Sequence, residues 1–401
     1  MRGHLPTLIA AFIHFDLSFM LWVLLGALGA YIAQSVALTP AQKGLVVGLP
    51  ILSGSLLRVP LGVWSDRAGG KRVGAAMLAF LFLPLAVGWR AGSTLPTLLG
   101  VGLMLGTAGA SFAVALPLAS RWYPPQRQGL VLGIAAAGNS GTVIANLLAP
   151  RLANVLGWHN VLGLAMLPLG LVLLAFVLMA KDAPARAAPV PLSRYAAILR
   201  SADLWRLSLL YSVTFGGYVG LASFLPLFLH DQYSVTPLTA GSLTALAGLV
   251  GSGTRPVGGF LADRLGGARV LSVLLGAIAA TYALATTLPP VQLMVSLVLG
   301  TMLCLGMGNG GVFQLVPQHF RAEIGLATGV IGAVGGVGGF FLPTLLGYVR
   351  QVSGSFAAGF AILAFVAAGA GVVLRVSLAR RVDPAARADA AVAAPPERDA
   401  A

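Results

Sequence analysis

Long apolar runs separated by short polar breaks dominate the chain. A helix needs about 20 apolar residues to cross a bilayer. Twelve stretches meet that length: 12–34, 42–64, 73–91, 96–120, 128–150, 159–179, 205–229, 238–262, 270–288, 291–317, 325–348 and 356–376. Lipid cannot satisfy free backbone groups, so such runs must be helices. The pattern predicts an all-α membrane protein with twelve transmembrane helices. The first run is too long for a signal-peptide core and has no short basic head followed by a cleavage site, so it reads as a retained helix. The longest break, 181–204, contains Pro184, Pro189 and Pro191 and parts six spans from six. It predicts an N-terminal six-helix half over 1–180, a cytoplasmic linker over 181–204 and a C-terminal six-helix half over 205–378. The Ala/Pro-rich stretch 379–401 reads as a disordered cytoplasmic tail.

Charge adds orientation. Of the 25 Lys and Arg residues, 19 fall in breaks on one side of the predicted membrane and four (Lys43, Arg90, Arg151, Arg350) on the other. Basic residues collect on the cytoplasmic side, so both termini should be cytoplasmic, which an even number of spans requires. The net charge of +14 then marks topology rather than an acidic partner.

Composition removes other classes. Charged residues make up 9% of the chain, against about 25% in soluble proteins. A nucleic-acid binder would need a polar face that is missing here. The single cysteine, Cys304, excludes a disulfide scaffold or a multi-cysteine metal site. The five histidines are scattered rather than gathered as a catalytic cluster, so an enzyme is not expected, and no cofactor is implied. No phosphate-binding loop points to ATP, and a channel would need a continuous polar lining.

One motif occurs twice. Gly62-Val-Trp-Ser-Asp66-Arg67-Ala-Gly69-Gly70-Lys-Arg72 follows the second span, and Gly259-Phe-Leu-Ala-Asp263-Arg264-Leu-Gly266-Gly267-Ala-Arg269 follows the eighth, 197 residues later. The same offset carries Arg58 onto Arg255. Two copies of one design are implied. In each, the carboxylate can pair with an Arg or cap the next helix, and the glycines allow a sharp turn. Asp66, Arg67, Asp263 and Arg264 are therefore candidates for a latch that opens and closes.

Arg58 and Arg255 each lie eight residues before the motif carboxylate, roughly 12 Å along a helix. That is near the centre of a hydrocarbon core about 30 Å thick. A buried guanidinium needs a partner, and neither span offers an adjacent acid. A bound anion is the simplest partner; snorkelling, or a pair with Asp16, is the alternative. Two planar forks facing each other suit the oxygens of one small anion. Asn139 and Asn309 fall at similar depth, although Asn309 could equally bond across helices. Asp16 is the one carboxylate inside an apolar span away from the loop motifs and a possible proton site. Glu323 reads as a charge at the start of span eleven, where the helix end favours it.

These features together resemble the major facilitator superfamily, of which the loop motif is the most specific mark. More narrowly they resemble its nitrate/nitrite porter family. The resemblance rests on Phe15-Asp16-Leu-Ser-Phe-Met20, on Arg58 and Arg255, on Gly133-Ile-Ala-Ala-Ala-Gly138-Asn139-Ser-Gly141 in span five, and on Gly332-Ala-Val-Gly335-Gly336-Val-Gly338-Gly339 in span eleven. It implies the major facilitator fold and secondary active transport of nitrate, nitrite or both by alternating access. It also implies that two rings, Phe112 and Phe215, hold the planar anion while the arginines grip its oxygens. Tyr211 matches the family's hydroxyl donor, and Asn139 keeps the asparagine of the first glycine signature. Gly138, Gly141, Gly335 and Gly338 would form faces that slide as the halves alternate. The first-span pattern is similar to the branch that couples nitrate uptake to protons, so symport is the expectation. Nitrate/nitrite exchange, and transport of another small anion, are the alternatives. The expected partners are the anions, protons and membrane lipid, with a monomer as the default state.

Overall fold

The computed structural model describes residues 3–124, 131, 137–184, 192–320 and 324–392. Every regular element among them is helical. In chain order these are α1 (Leu5–Trp22), α2 (Leu24–Ala27), α3 (Gly29–Val36), α4 (Pro40–Ala68), α5 (Gly70–Ala91), α6 (Leu95–Leu105), α7 (Phe112–Ser120), α8 (Gly141–Leu156), α9 (Trp158–Leu164) and α10 (Met166–Met179). They continue with α11 (Leu192–Leu199), α12 (Ala202–Tyr211), α13 (Gly217–Tyr233), α14 (Pro237–Leu265), α15 (Gly267–Ala285), α16 (Val291–His319), α17 (Ile324–Ser353) and α18 (Ala357–Val392). Among the described residues, ten helical runs are long and apolar enough to cross a membrane. The two expected spans outside that set are 128–150, much of whose beginning lies outside the described residues, and 238–262. The latter forms the 29-residue helix α14, but its many Gly, Ser and Thr residues make it less apolar.

The two 29-residue helices α4 and α14 start and stop alike. Thr39 accepts from the Gln42 amide at 3.3 Å while the Gln42 side chain accepts from the Thr39 amide at 3.0 Å, with Pro40 in the first turn. Thr236 caps α14 the same way, accepting from the Thr239 amide at 3.3 Å, with Pro237 following. These caps satisfy amides that the first turn leaves free. Both helices end at a glycine with positive φ, 98° at Gly69 and 89° at Gly266, a conformation other residues adopt only under strain. Starts and stops are each 197 residues apart. The repeat is thus present in the backbone caps as well as in the loop motif.

Three runs depart from α geometry in their interiors. A 3₁₀ turn, Gly106–Ser111, joins α6 to α7; another, Ala137–Ser140, precedes α8; a π turn, Ser212–Gly216, joins α12 to α13. Such turns re-aim side chains and recur at functional sites. The first span is also broken, at Val23 and Leu28.

The two halves of the chain meet where α4 lies along α17, α8 along α14, and α13 against α2 and α3. Small residues bring the backbones together: Gly44 faces the Pro343 carbonyl, Gly347 the Pro40 carbonyl and Gly241 the Asn146 carbonyl. The hydrogen bonds described between the halves lie at mid-depth or toward the end marked by Thr39 and Thr236. They include Lys43 to Asp231 at 2.7 Å, Gln34 with His230 at 3.3 Å, the Ala41 amide to Gln351 at 3.2 Å, Arg151 to Ser242 at 3.0 Å and Asn146 to the Ala222 carbonyl at 3.3 Å. At the opposite end, which carries Asp66 and Asp263, no such bond is described.

The chain's connections add one detail and change one expectation. The break 181–204 contains a short helix, α11. The last helix runs on to Val392, so residues 379–392, expected to be irregular, continue it; alanine is the best helix former. Residues 393–401 and Glu323 lie outside the described residues.

Candidate functional site

Arg58 is 2% exposed. Its side chain is set among three rings, with the guanidinium carbon 5.5 Å from the Trp22 ring, 5.2 Å from Phe112 and 5.1 Å from Phe215. A cation over an aromatic face gains about 0.5–2 kcal/mol. Nε donates to the Gly109 carbonyl at 3.2 Å and Nη1 to the Gly332 carbonyl, leaving Nη2 without a partner. Gly109 belongs to the 3₁₀ turn before Phe112, so one irregular turn supplies both a carbonyl and a ring. At Gly332 the guanidinium reaches the α17 backbone, and a Cβ there would sit in ordinary contact, 3.5 Å from Nη1. Two carbonyls thus share the donors of Arg58, partners that the sequence did not indicate. They do not cancel its charge. Among the described residues no carboxylate pairs with it, and burial excludes snorkelling. Asp16 instead accepts from the Ser140 hydroxyl at 2.6 Å.

A chain of rings leads from Arg58 to Arg255. Phe215 stacks on Tyr211 with centroids 4.9 Å apart and planes 3° from parallel. Tyr211 meets the edge of Phe313 at 4.9 Å, and the Arg255 guanidinium carbon lies 5.5 Å from the Phe313 ring. Phe215 sits in the π turn that follows Tyr211. Arg255 is half-buried on α14 and close enough to Arg58 for the two like charges to interact. Both arginines also act electrostatically on the buried Tyr211 hydroxyl, and Arg255 approaches it, but no aligned hydrogen bond forms.

Buried polar atoms are normally paired. Here Arg58 Nη2, the Tyr211 hydroxyl, Asn139 Oδ1 and Asn309 Oδ1 are all without partners. Two unpaired donors between two uncompensated cations form a donor-rich setting that suits a small anion. Asn139 lies on the 3₁₀ turn before α8, and Asn309 on α16 one turn before Phe313. Neither hydrogen-bonds to an arginine.

The paired loops differ. Asp66 forms an ion pair with Arg121, from the end of α7, rather than with Arg67, which is exposed. Asp182 accepts from the Lys71 amide at 3.1 Å, capping α5, and faces Gly69. In the second copy Asp263 is exposed and makes no ion pair among the described residues, while the exposed Arg264 lies 4.3 Å over the Phe260 ring. Among the described residues, an ion pair holds the first loop and none holds the second.

Gly138 and Gly141 lie 197 residues before Gly335 and Gly338, and all four are close-approach points. A Cβ would strike the Phe15 ring at Gly138, the Asp16 carbonyl at Gly141, the Tyr211 ring at Gly335 and Ser212 at Gly338. The glycine faces thus seat the elements that carry Asp16 and Tyr211.

Several members of the site escaped the sequence. Trp22, anchored by its indole N–H donating to the Pro50 carbonyl at 2.7 Å, extends the aromatic run begun by Phe15 and Phe19. Phe313 could have been found as the residue one turn beyond Asn309 on the same helix face. Arg121, Asp182 and the Gly109 and Gly332 carbonyls left no local signal.

Comparison with known proteins places this geometry among relatives. The family described as Major Facilitator Superfamily matches residues 10–320. The chain is 35% identical over 350 residues to the "Nitrite extrusion protein" of Bacillus subtilis (strain 168), covering 87% of this chain and 88% of that one. It is 34% identical over 354 residues to the "Probable nitrate/nitrite transporter NarK2" of Mycobacterium tuberculosis (strain ATCC 25618 / H37Rv), covering 86% and 89%. Among solved structures, a bacterial homologue of the human lysosomal transporter Spinster shares the fold, with a TM-score of 0.65 and 20% identity over 93% of this chain and 94% of that one.

Proposed function

The chain belongs to the major facilitator superfamily, and it is a multi-pass membrane transporter, not an enzyme; from this premise we propose that it carries nitrate and nitrite by alternating access. The observation that carries the proposal is the uncompensated pair Arg58 and Arg255, with unpaired donors on Arg58 and Tyr211 and aromatic faces between them. A flat monovalent anion fits that set: it brings acceptors, one charge and a surface that stacks. In this reading Arg58, Arg255 and Tyr211 donate to the anion, Phe112 and Phe215 flank it, and Asn139 and Asn309 turn their amides toward it. The names of the similar proteins from Bacillus subtilis and Mycobacterium tuberculosis support this substrate class.

The framework we adopt is twelve helices in two six-helix halves with both termini cytoplasmic. The repeated caps of α4 and α14, the repeated loops and the uneven spread of Lys and Arg support it. Asp66 with Arg121, and the glycines at 138, 141, 335 and 338, govern the relative motion of the halves. A monomer contains every element of the site.

The geometry favours exchange of nitrate for nitrite. One buried and one half-buried cation, with no carboxylate neighbour among the described residues, reorient at lower cost with an anion between them than without one. Symport is the second reading. Its support is Asp16, a half-buried carboxylate inside a span, held by the Ser140 hydroxyl and the Gly141 backbone. Flux into proteoliposomes separates them. Exchange requires internal nitrite to accelerate nitrate entry and an imposed pH gradient to leave it unchanged. Entry driven by the pH gradient, and abolished by Asp16→Asn, would establish symport. Absence of nitrate or nitrite flux under either condition rejects the substrate.

A further inference from the structure

Tyr218 lies seven residues beyond Tyr211, on the side of the arginine pair away from the Asp66 and Asp263 loops. It is 1% exposed, and its ring is wedged against Gly251, where a Cβ would lie 2.7 Å from the ring. Its hydroxyl is 2.7 Å from Ser252 Oγ on α14, 3.1 Å from Thr142 Oγ1 on α8 and 3.4 Å from the Gly248 carbonyl. Thr142 belongs to the first half of the chain; Tyr218 and Ser252 belong to the second. Ser252 stands one turn before Arg255, and Thr142 one turn after Asn139.

Proton counting gives these contacts a direction. Each hydroxyl has one proton to donate. Thr142 donates to the Asn139 carbonyl at 2.9 Å, so in its contact with Tyr218 it accepts. Tyr218 has one proton for two acceptors, Thr142 at 3.1 Å and the Gly248 carbonyl at 3.4 Å; the shorter contact takes it, and Ser252 then donates to Tyr218. The chain runs from Ser252 through Tyr218 and Thr142 to the Asn139 backbone, and only the Tyr218–Thr142 link crosses between the halves. Of the other bonds between the halves on this side, Lys43–Asp231 and Arg151–Ser242 lie nearer the rim and more open to water, while the buried bond from Asn146 to the Ala222 carbonyl, one turn further along α8, is longer at 3.3 Å. The Tyr218–Thr142 link is buried, where a hydrogen bond gains most from the low dielectric.

We infer that the Tyr218–Thr142 hydrogen bond is the inner tie that keeps the site closed on the Thr39/Thr236 side, and that it must break for an anion to pass that way. The inference rests on the anion-site reading above only for what passes; the tie itself rests on the geometry. Tyr218 is a positioning residue, acting on the site through the separation of α8 and α14.

The direction of the chain makes the test specific. Tyr218→Phe removes the donor and Thr142→Val the acceptor, each with little change of shape. Ser252→Ala removes a hydroxyl from the same cluster but leaves the crossing bond in place. Spin labels at Val155→Cys and Thr239→Cys, in a Cys304→Ala background, report the distance between the halves at this end in lipid bilayers. Losing one buried hydrogen bond should raise the ratio of long-distance to short-distance populations about threefold to tenfold in Tyr218→Phe and in Thr142→Val. The double variant should show no further increase, and Ser252→Ala should match the unsubstituted protein. Distributions in Tyr218→Phe and Thr142→Val that coincide with the unsubstituted protein overturn the tie. So does a shift in Ser252→Ala as large as theirs, because packing of the cluster would then be the cause. Nitrate is added as a separate arm. If it leaves every distribution unchanged while the two variants still shift, the tie stands and the anion reading fails.

Discussion

Removing the Tyr211 hydroxyl should strengthen the empty protein and weaken its hold on the anion. In Tyr211→Phe the stack on Phe215 and the edge contact with Phe313 persist, because both use the ring. Only the buried, unpaired hydroxyl is lost. An unsatisfied buried polar group costs about 1–3 kcal/mol, so the variant without nitrate should be at least as stable as the parent. A hydrogen bond to a charged partner contributes about 1.5–3 kcal/mol, and each 1.4 kcal/mol is about tenfold in affinity. Nitrate affinity should therefore fall about tenfold to 150-fold. Thermal unfolding with and without nitrate reads both effects. At nitrate a hundredfold above the parent Kd, ligand stabilisation is about 2.7 kcal/mol in the parent and about 0.4 kcal/mol after a hundredfold loss. The two changes have opposite signs, which a general folding defect cannot reproduce. An unchanged nitrate-induced shift, or a lower Tm without nitrate, would refute the role given to the hydroxyl.

Other substitutions probe the remaining parts. Arg58→Lys keeps a charge but not the fork that reaches Gly109, Gly332 and a ligand together; nitrate titration should show at least a tenfold loss of affinity, and Arg255→Lys should lose affinity as well. Asp66→Asn should lower the maximal transport rate about twofold to fivefold at unchanged nitrate affinity, consistent with a partly exposed ion pair worth up to about 1 kcal/mol; Asp263→Asn, with no ion-pair partner among the described residues, should lower the rate less. Gly335→Ala drives a Cβ into the Tyr211 ring and should cost about 1–3 kcal/mol by overpacking, seen as a lower Tm, whereas Gly329→Ala, with nothing within 4 Å of its added Cβ, should leave Tm unchanged.

Features with local causes were legible in the sequence. Membrane depth follows from helical rise, so Arg58 and Arg255 could be placed near the bilayer centre by counting to Asp66 and Asp263. The repeat was visible because equal backbone tasks, such as turning after α4 and α14, call for the same Gly-Gly pair. What stayed hidden depends on distant segments. Arg121 is 55 residues from Asp66 and Gly332 is 274 from Arg58, and no periodicity links such positions. The π turn at Ser212–Gly216 and the 3₁₀ turn at Gly106–Ser111 are also silent, since their sequences are compatible with ordinary helix. They decide where Phe215 and Phe112 point. The second loop shows the same limit: Asp263 repeats the motif, but the ion-pair partner that Asp66 finds, Arg121, lies outside the motif.

Among the described residues the bonds between the halves gather toward one end, and a seal there has a kinetic consequence. A ligand reaching the freely presented entrance meets carriers ready to receive it. A ligand on the tied side meets only the fraction whose seal has parted. Its apparent half-saturation concentration rises as the inverse of that fraction: one part in a hundred makes it about a hundredfold higher. Maximal velocities must compensate, because microscopic reversibility keeps the ratio of velocity to half-saturation equal in both directions when no other gradient is coupled. Right-side-out and inverted vesicles containing this one protein would then yield two different half-saturation constants from a single unchanging site.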